Sequence, residues 1–240
     1  MLFEWNDEKI ALYVRASGYT GFHRKLAEYI VPLLKADDEV LDIGCGPGLI
    51  ALSLAPVVKS ITAIDIDDKV LRFLARQAEK TKVKNITAIT ADIADVQNLD
   101  CDLAFICYFG CSEDSLSRII AAAKRYTVII THGEGVSEKP SKISTTVRRA
   151  YAPEIESFLR AHDYEYKRID ERLDFSQPLK SREEAYDFFD TYCIEDVKAA
   201  REEKIDMQMR QLVPTGNETY PLVFPCGKDA SIFVIQRSIP

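Results

Sequence analysis

Five short runs of apolar, β-branched residues separated by helical segments constrain this 240-residue chain more than any other feature. They are EVLDI (39–43), SITAID (60–65), NITAIT (85–90), DLAFICY (102–108) and YTVIIT (126–131). Each is almost continuously apolar rather than alternating, the pattern of strands covered on both faces in a parallel sheet. Between them, DDKVLRFLARQAEKT (67–81) sets Val70, Leu74 and Ala78 on one helical face, with Asp67 or Asp68 as N-cap. SEDSLSRIIAAAKR (112–125) predicts a second helix, capped by Ser112 and carrying basic residues in its last turn. Strand–helix–strand order with right-handed crossovers gives an α/β, doubly wound, mostly parallel sheet.

Two segments fall outside this alternation. Residues 1–36 carry aromatic side chains and predict a helix from about Thr20, with Leu26, Ile30 and Leu33 on one side. Pro32 kinks or ends it. The second segment, about 180–212, opens with the capping box Ser181-x-x-Glu184 and continues with Ala185, Phe189, Tyr192 and Cys193 at helical spacing. YEYKRIDERLDF (164–175) and SIFVIQR (231–237) read as two more strands. The expected organisation is an N-terminal helical cap at 1–36, then an α/β domain at 37–240 with a helical insertion at about 180–212.

The formal net charge is -7, and the sequence pI is near 5.2. An acidic surface repels phosphate backbones, so neither nucleic acid nor an anionic membrane is an expected partner. The opening MLFEWNDEKI has no basic region ahead of an apolar core, and no later run is long enough to span a bilayer. A cytoplasmic location is therefore expected, with the six cysteines as reduced thiols. Cys101, Cys107 and Cys111 do not follow a common zinc spacing, and no metal is expected.

In a doubly wound sheet the ligand lies at the carboxyl ends of the strands, where the strand order reverses. The first strand runs there into VLDIGCGPG (40–48), so Gly44, Cys45, Gly46, Pro47 and Gly48 form the turn. Glycines allow positive φ and a close backbone approach to a ligand. A dinucleotide turn reads G-x-G-x-x-G with a pyrophosphate on the helix N-terminus; here the spacing is G-x-G-x-G. Asp42 is stronger evidence, because a carboxylate repels a pyrophosphate but stabilises an ammonium. Asp65 ends the second strand about 20 residues beyond the glycines, suited to two ribose hydroxyls. Asp92, in TADI, suits an adenine amino group. Three carboxylates at consecutive strand ends describe a cationic adenosine ligand, and S-adenosylmethionine carries an ammonium, a sulfonium and no phosphate. Taken singly, each acid also fits a helix cap or a solvated loop.

These residues resemble the class I S-adenosylmethionine-dependent methyltransferases. VLDIGCGPG is similar to that family's first motif, AIDID to its ribose-binding acid and TADI to its adenine-contacting acid, over about 39–131. The resemblance implies a seven-stranded sheet with an antiparallel last strand, which suits 164–175 and 231–237. It implies that Gly44 and Gly46 line the methionine part, that Asp65 holds the ribose, that Ile66 packs on the adenine and that Asp92 reads its amine. Asp42, Cys45, Gly48, Ile93, Cys107 and Tyr19 complete the expected cofactor-binding set.

Methyl transfer is an in-line displacement, so the protein aligns the acceptor, excludes water and, for some acceptors, removes a proton. The fourth strand delivers CYFG (107–110) to the methyl side. It lacks the Asp/Asn-Pro-Pro-aromatic segment of family members that methylate exocyclic amines of bases. Tyr108 and Phe109 wall the site instead, with core packing an equal alternative for Phe109. His132 follows the fifth strand and is a catalytic candidate, with Glu134 beside it; His23, in the N-terminal helix, is another. Tyr19 or His23 would reach the methionine carboxylate or the acceptor if that helix closes over the cofactor. His162 reads as a surface cap. The expected function is methyl transfer to a small-molecule acceptor in a lidded pocket. The alternatives are a protein or RNA methyltransferase, with Arg148 and Arg149 as a slight basic patch, a non-catalytic S-adenosylmethionine-binding protein, and a nicotinamide dehydrogenase. The acceptor atom and the oligomeric state stay open.

Overall fold

The computed structural model describes residues 4–133, 151–193 and 197–237. These residues divide into two compact units. One comprises residues up to Ile10, His23–Arg172 and the chain from Asp229; the other is Ala11–Phe22 with Leu173–Lys228.

The chain opens with α1 (Asp7–Thr20) and α2 (Phe22–Ile30), where the sequence predicts one helix from about Thr20. Asn6 starts α1, its Oδ1 accepting from the Lys9 amide at 2.8 Å. Gly21, at φ 70°, ends α1 with its amide on the Ser17 carbonyl at 2.8 Å. A left-handed glycine of this kind closes a helix and lets the next begin at a new angle. α2 gives way at Val31–Leu33 to a 3₁₀ turn with Pro32 inside it, as the missing amide requires.

The first unit is built on β1 (Glu39–Ile43), α3 (Leu49–Leu54), β2 (Ser60–Asp65), α4 (Asp68–Thr81), β3 (Ile86–Thr90), β4 (Cys101–Cys107), α5 (Glu113–Ala122) and β5 (Ala123–His132). α6 (Ala152–Ala161) and β6 (Tyr166–Asp174) follow. β1 pairs in parallel with β2 on one side and β4 on the other, so the strand order reverses between β1 and β4. The remaining parallel pairs are β2 with β3 and β4 with β5. Val40 to Ile43 are all buried, Asp42 among them, which explains the nearly continuous apolar run: both faces are covered.

Local signals set the helices. Asp67 caps α4, its side chain accepting from the Lys69 amide at 2.9 Å. Ser112 caps α5 by accepting from the Ser115 amide at 3.2 Å. The expected basic last turn of α5 is corrected. The helix stops at Ala122, and Lys124 and Arg125 lie in β5. Pairing of Ala123 with Cys101 pulls this stretch into the sheet, and Lys124–Asp100 (2.8 Å) and Arg125–Asp38 ion pairs hold it there. His162 ends α6, with Nδ1 2.9 Å from the Phe158 carbonyl.

The second unit adds β7 (Gln177–Leu179), α7 (Arg182–Tyr192), α8 (Lys198–Met209), β8 (Val213–Pro214) and β9 (Leu222–Phe224). Its three strands run in the order β7-β9-β8 and are antiparallel. Leu179, Ala185, Phe189 and Ile205 form its core. Ser181 caps α7 by accepting from the Glu184 amide at 3.1 Å. Glu184 does not close the box on Ser181. Its Oε2 accepts from the Lys180 amide at 2.6 Å, and its Oε1 pairs with Arg15 of α1 at 2.8 Å. The capping acid thus ties the N-terminal helix into this unit. The compact units accordingly interleave along the chain rather than parting at residue 36.

β10 (Gly227–Gln236) completes the larger sheet, whose order is β3-β2-β1-β4-β5-β10-β6. It runs antiparallel to β5, from Ala230 opposite His132 to Gln236 opposite Tyr126. Seven strands, mostly parallel, with helices between them make the α/β fold expected from the sequence. No helix among the described residues is long and apolar enough to cross a membrane.

Candidate cofactor and active site

The turn after β1 is built from three left-handed glycines: Gly44 at φ 67°, Gly46 at 51° and Gly48 at 69°. Side chains are barred at two of them for steric reasons as well. A Cβ on Gly44 would lie 2.2 Å from Cδ2 of Phe109, and one on Gly48 would lie 2.5 Å from Cδ1 of Leu74. At Gly46 the nearest heavy atom would be Trp5 Cζ2, at 3.6 Å. The backbone of Gly46 is thus bare on its outer side, with one indole nearby. Phe109 packs over Gly44, which makes it part of the turn's support. Trp5 is absent from the cofactor residues expected from the sequence; a single tryptophan far from the motif carries no local signal.

Asp65 fixes the turn's shape. Its Oδ2 accepts from the Gly46 amide at 2.8 Å and its Oδ1 from the Asp67 amide at 3.0 Å. The amides of Gly44 and Cys45 both donate to the Ile64 carbonyl, at 2.8 and 3.1 Å. The end of β2 therefore shapes the loop of β1. Burial raises the Asp65 carboxyl above its ordinary value, while the amides of Asp67 and Gly46 pull it back down. Each carboxylate oxygen has a second lone pair, so these bonds still leave acceptor capacity for a ribose hydroxyl.

Asp42 lies inside β1 and is only 2% exposed. Burial, and then the charge of Asp65, push its carboxyl well above the usual range. Cys45 shares this environment: burial, then Asp42 and Asp65, hold its thiol strongly protonated. The charges of Asp42 and Asp65 repel one another, so the site gains from a bound ammonium or sulfonium. Ile66, next to Asp65, is 48% exposed, an apolar residue at the strand end suited to a flat ring. Asp92 lies exposed in the loop after β3, with Oδ1 accepting from the Ala94 amide at 2.9 Å, and Ile93 beside it is buried. These features fit S-adenosylmethionine: acids for its charged end and ribose, an open apolar wall for its base, and no lysine in the turn.

At the ends of β4 and β5 the structure brings two expected residues together. The rings of Tyr108 and His132 lie 4.7 Å apart at 50°. A third ring, Tyr151, stands 5.7 Å from His132 and bridges it through the backbone. Tyr108 takes a left-handed conformation, φ 51°, with its amide on the Ile130 carbonyl at 2.8 Å, which turns the chain out of β4. Burial, then Cys107 and Asp229, push its phenol well up, so it stays protonated. Asp229 belongs to the same edge, its carbonyl accepting from Gly133 at 3.2 Å and its carboxylate pairing with Arg172 at 2.9 and 3.0 Å. Cys107 is half-buried at the end of β4.

The other expected residues lie elsewhere. His23 is buried in α2, 5% exposed. Tyr19 is on α1 in the second unit, 47% exposed. Glu134, Arg148 and Arg149 lie outside the described residues. Among the described residues, no group of His, Cys, Asp and Glu is arranged to hold a metal ion.

Comparison with known proteins agrees with this geometry. A family model described as a methyltransferase domain matches residues 40–128, from β1 into β5. The "Probable ribosomal RNA small subunit methyltransferase A" of Pyrobaculum islandicum is 28% identical over 114 residues, 48% of this chain and 46% of that protein. This chain thus matches less than half the length of that relative. Among solved structures, the YcgJ protein of Bacillus subtilis superposes with a TM-score of 0.59 at 18% identity, covering 91% of this chain and 98% of that one. The magnesium protoporphyrin IX methyltransferase of Synechocystis PCC 6803, solved with bound SAH, gives 0.56 at 13% identity, covering 99% and 90%. At such identities the superpositions speak for the fold. Residues 40–128 thus match a methyltransferase domain, and the seven-strand order around them is the fold of the class I S-adenosylmethionine-dependent methyltransferases.

Proposed function

We propose that this chain transfers the methyl group of S-adenosylmethionine to a small-molecule acceptor. The observation that carries the reading is Asp42, a buried acid beside Asp65 at the mouth of a left-handed glycine turn. When bound, S-adenosylmethionine supplies an electrophilic methyl on a sulfonium whose leaving group is a neutral thioether. Asp42 and Asp65 balance the positive charge of the amino-acid end and hold the ribose. Ile66 covers one face of the adenine, and Asp92 accepts from its amine.

His132 takes the acceptor's proton, and Tyr108 donates a hydrogen bond from its protonated phenol to the acceptor. Both groups stand at the carboxyl edge of the sheet, Tyr108 one strand from the glycine turn and His132 two. His23 and Glu134 remain further candidates for the proton.

The small-molecule acceptor is favoured by the net charge of -7, which opposes a polyanion. An RNA acceptor is the second reading, and the ribosomal RNA methyltransferase relative is the observation in its favour. Calorimetric titration of S-adenosylmethionine and, separately, NADH into wild type and Asp65→Ala tests the cofactor. We expect micromolar binding of the first, lost in Asp65→Ala, and none of the second. Labelled methyl donor is then offered with a protein-free metabolite extract and with purified RNA. Label in the metabolite fraction supports the proposal, and label confined to RNA overturns the acceptor assignment.

A further inference from the structure

We propose that Arg118 is the positioning residue for adenine recognition. From α5 it clamps the loop that carries Asp92, and so sets how well the site tells a 6-amino purine from a 6-oxo purine. The inference rests on the S-adenosylmethionine reading above.

The stretch between β3 and β4 forms no strand or helix, and Ala91, Val96 and Leu99 pack only partly against the core. Ala91 donates to the Asp65 carbonyl at 3.0 Å, Asp95 donates to the Asp92 carbonyl at 2.9 Å, and Ile93 is buried in the core. Beyond Ile93, residues 94 to 100 are half-buried or exposed and form no strand or helix. Asp92 lies at the start of this stretch, its Oδ1 already engaged by the Ala94 amide. The direction of its carboxylate therefore follows the shape of the loop.

Arg118 supplies that shape. Its Nη1 donates to the carbonyls of Ile93 at 3.4 Å and Ala94 at 3.0 Å, and its Nη2 donates to Val96. Three carbonyls within four residues converge on one planar fork, a set of bonds a lysine cannot reproduce. The fork is itself anchored, because Leu116, Ile119 and Ile120 bury α5 in the sheet's core. Arg118 thus stands outside the cofactor's contacts and acts through Asp92. A hydrogen bond from the adenine amine to a carboxylate depends on direction as well as distance. A loosened loop weakens this bond selectively and spares the ribose and methionine contacts.

The test compares S-adenosylhomocysteine with S-inosylhomocysteine, which differs by a 6-oxo group in place of the amine. Both are titrated calorimetrically into the full chain as wild type, Arg118→Met, Arg118→Lys and Asp92→Asn, with thermal melting as the check on folding. Wild type is expected to prefer the adenosyl compound by about tenfold or more, the worth of one charge-assisted hydrogen bond. Both Arg118 variants should bring the preference down toward that of Asp92→Asn, while affinity for the inosyl compound stays nearly constant. Retention of the full preference in a folded Arg118 variant overturns the proposal, as does equal weakening of both ligands. Failure of both variants to fold makes Arg118 a stability residue and overturns it as well. Wild type that binds neither compound refutes the cofactor reading itself, whereas wild type that binds both equally refutes only the adenine assignment.

Discussion

Asp42 concentrates the chemistry of this protein in one side chain. Its burial at the centre of β1 is energetically adverse as long as it is charged, and Asp65 adds to the cost. The pH dependence follows from the sign of its shift. An acid whose folded value lies above its unfolded one contributes full stability below the unfolded value, near 3.8, and loses it as pH rises through the folded value. Asp42→Asn should therefore raise the melting temperature of the ligand-free protein at neutral pH, with the gap closing as pH falls toward 4. The same change should weaken S-adenosylhomocysteine about tenfold to a hundredfold, since it removes a charged partner of the ammonium. Melting scans across pH and a titration decide the matter. A variant that melts lower and binds normally would make Asp42 an ordinary structural acid. The sequence exposed Asp42, Asp65 and Asp92 because they sit at fixed offsets from strands. It was silent on the Asp65–Gly46 bond and on Trp5, since both depend on segments brought together only by folding.

At the scale of elements, local chemistry explains most boundaries. Asp67, Ser112 and Ser181 cap the helices that their sequences announce, each accepting a backbone amide in the first turn. Ser112→Ala is expected to cost about 1 kcal/mol of stability, read as a lower urea midpoint with an unchanged slope. An unaltered midpoint would mean that the cap bond is replaced by water at no cost. Where the sequence reading differed, tertiary pairing won. AAAKRY continues a helical pattern, yet Ala123 begins a strand because Cys101 and the acids Asp100 and Asp38 are there to receive it. α1 went unforeseen for a different reason: its apolar residues do not gather on one stripe, and its end is fixed by one left-handed glycine.

For the whole molecule, burial sorts the six cysteines into a graded set of probes. Cys226 is exposed, whereas Cys101 is buried, with its thiol pushed up to about 12. Cys111 is pushed up to about 11, again by burial. Only a thiolate reacts quickly, so at pH 8 a disulfide reagent should label Cys226 first and Cys101 only after unfolding. Mass spectrometry of timed samples gives the order. Early labelling of Cys101 would contradict the packing of β4 against α5 and β5. The two compact units are a property of the same scale: residues 11–22 join residues 173–228 across most of the chain, through Arg15–Glu184 and the packing of Phe22 on Phe175.

The sequence by itself determined the sheet's parallel core, its capped helices and the acids that point to the cofactor. Each of these is written within a few residues, in apolar runs, caps and a glycine turn, where sterics and hydrogen bonding act along the chain. The tertiary structure decided what joins distant segments. It set Phe109 against Gly44, the Tyr108–His132–Tyr151 rings at one edge, and Arg118 on the loop of Asp92. Such contacts arise from the strand order β1-β4-β5, which brings together residues that no spacing along the chain relates.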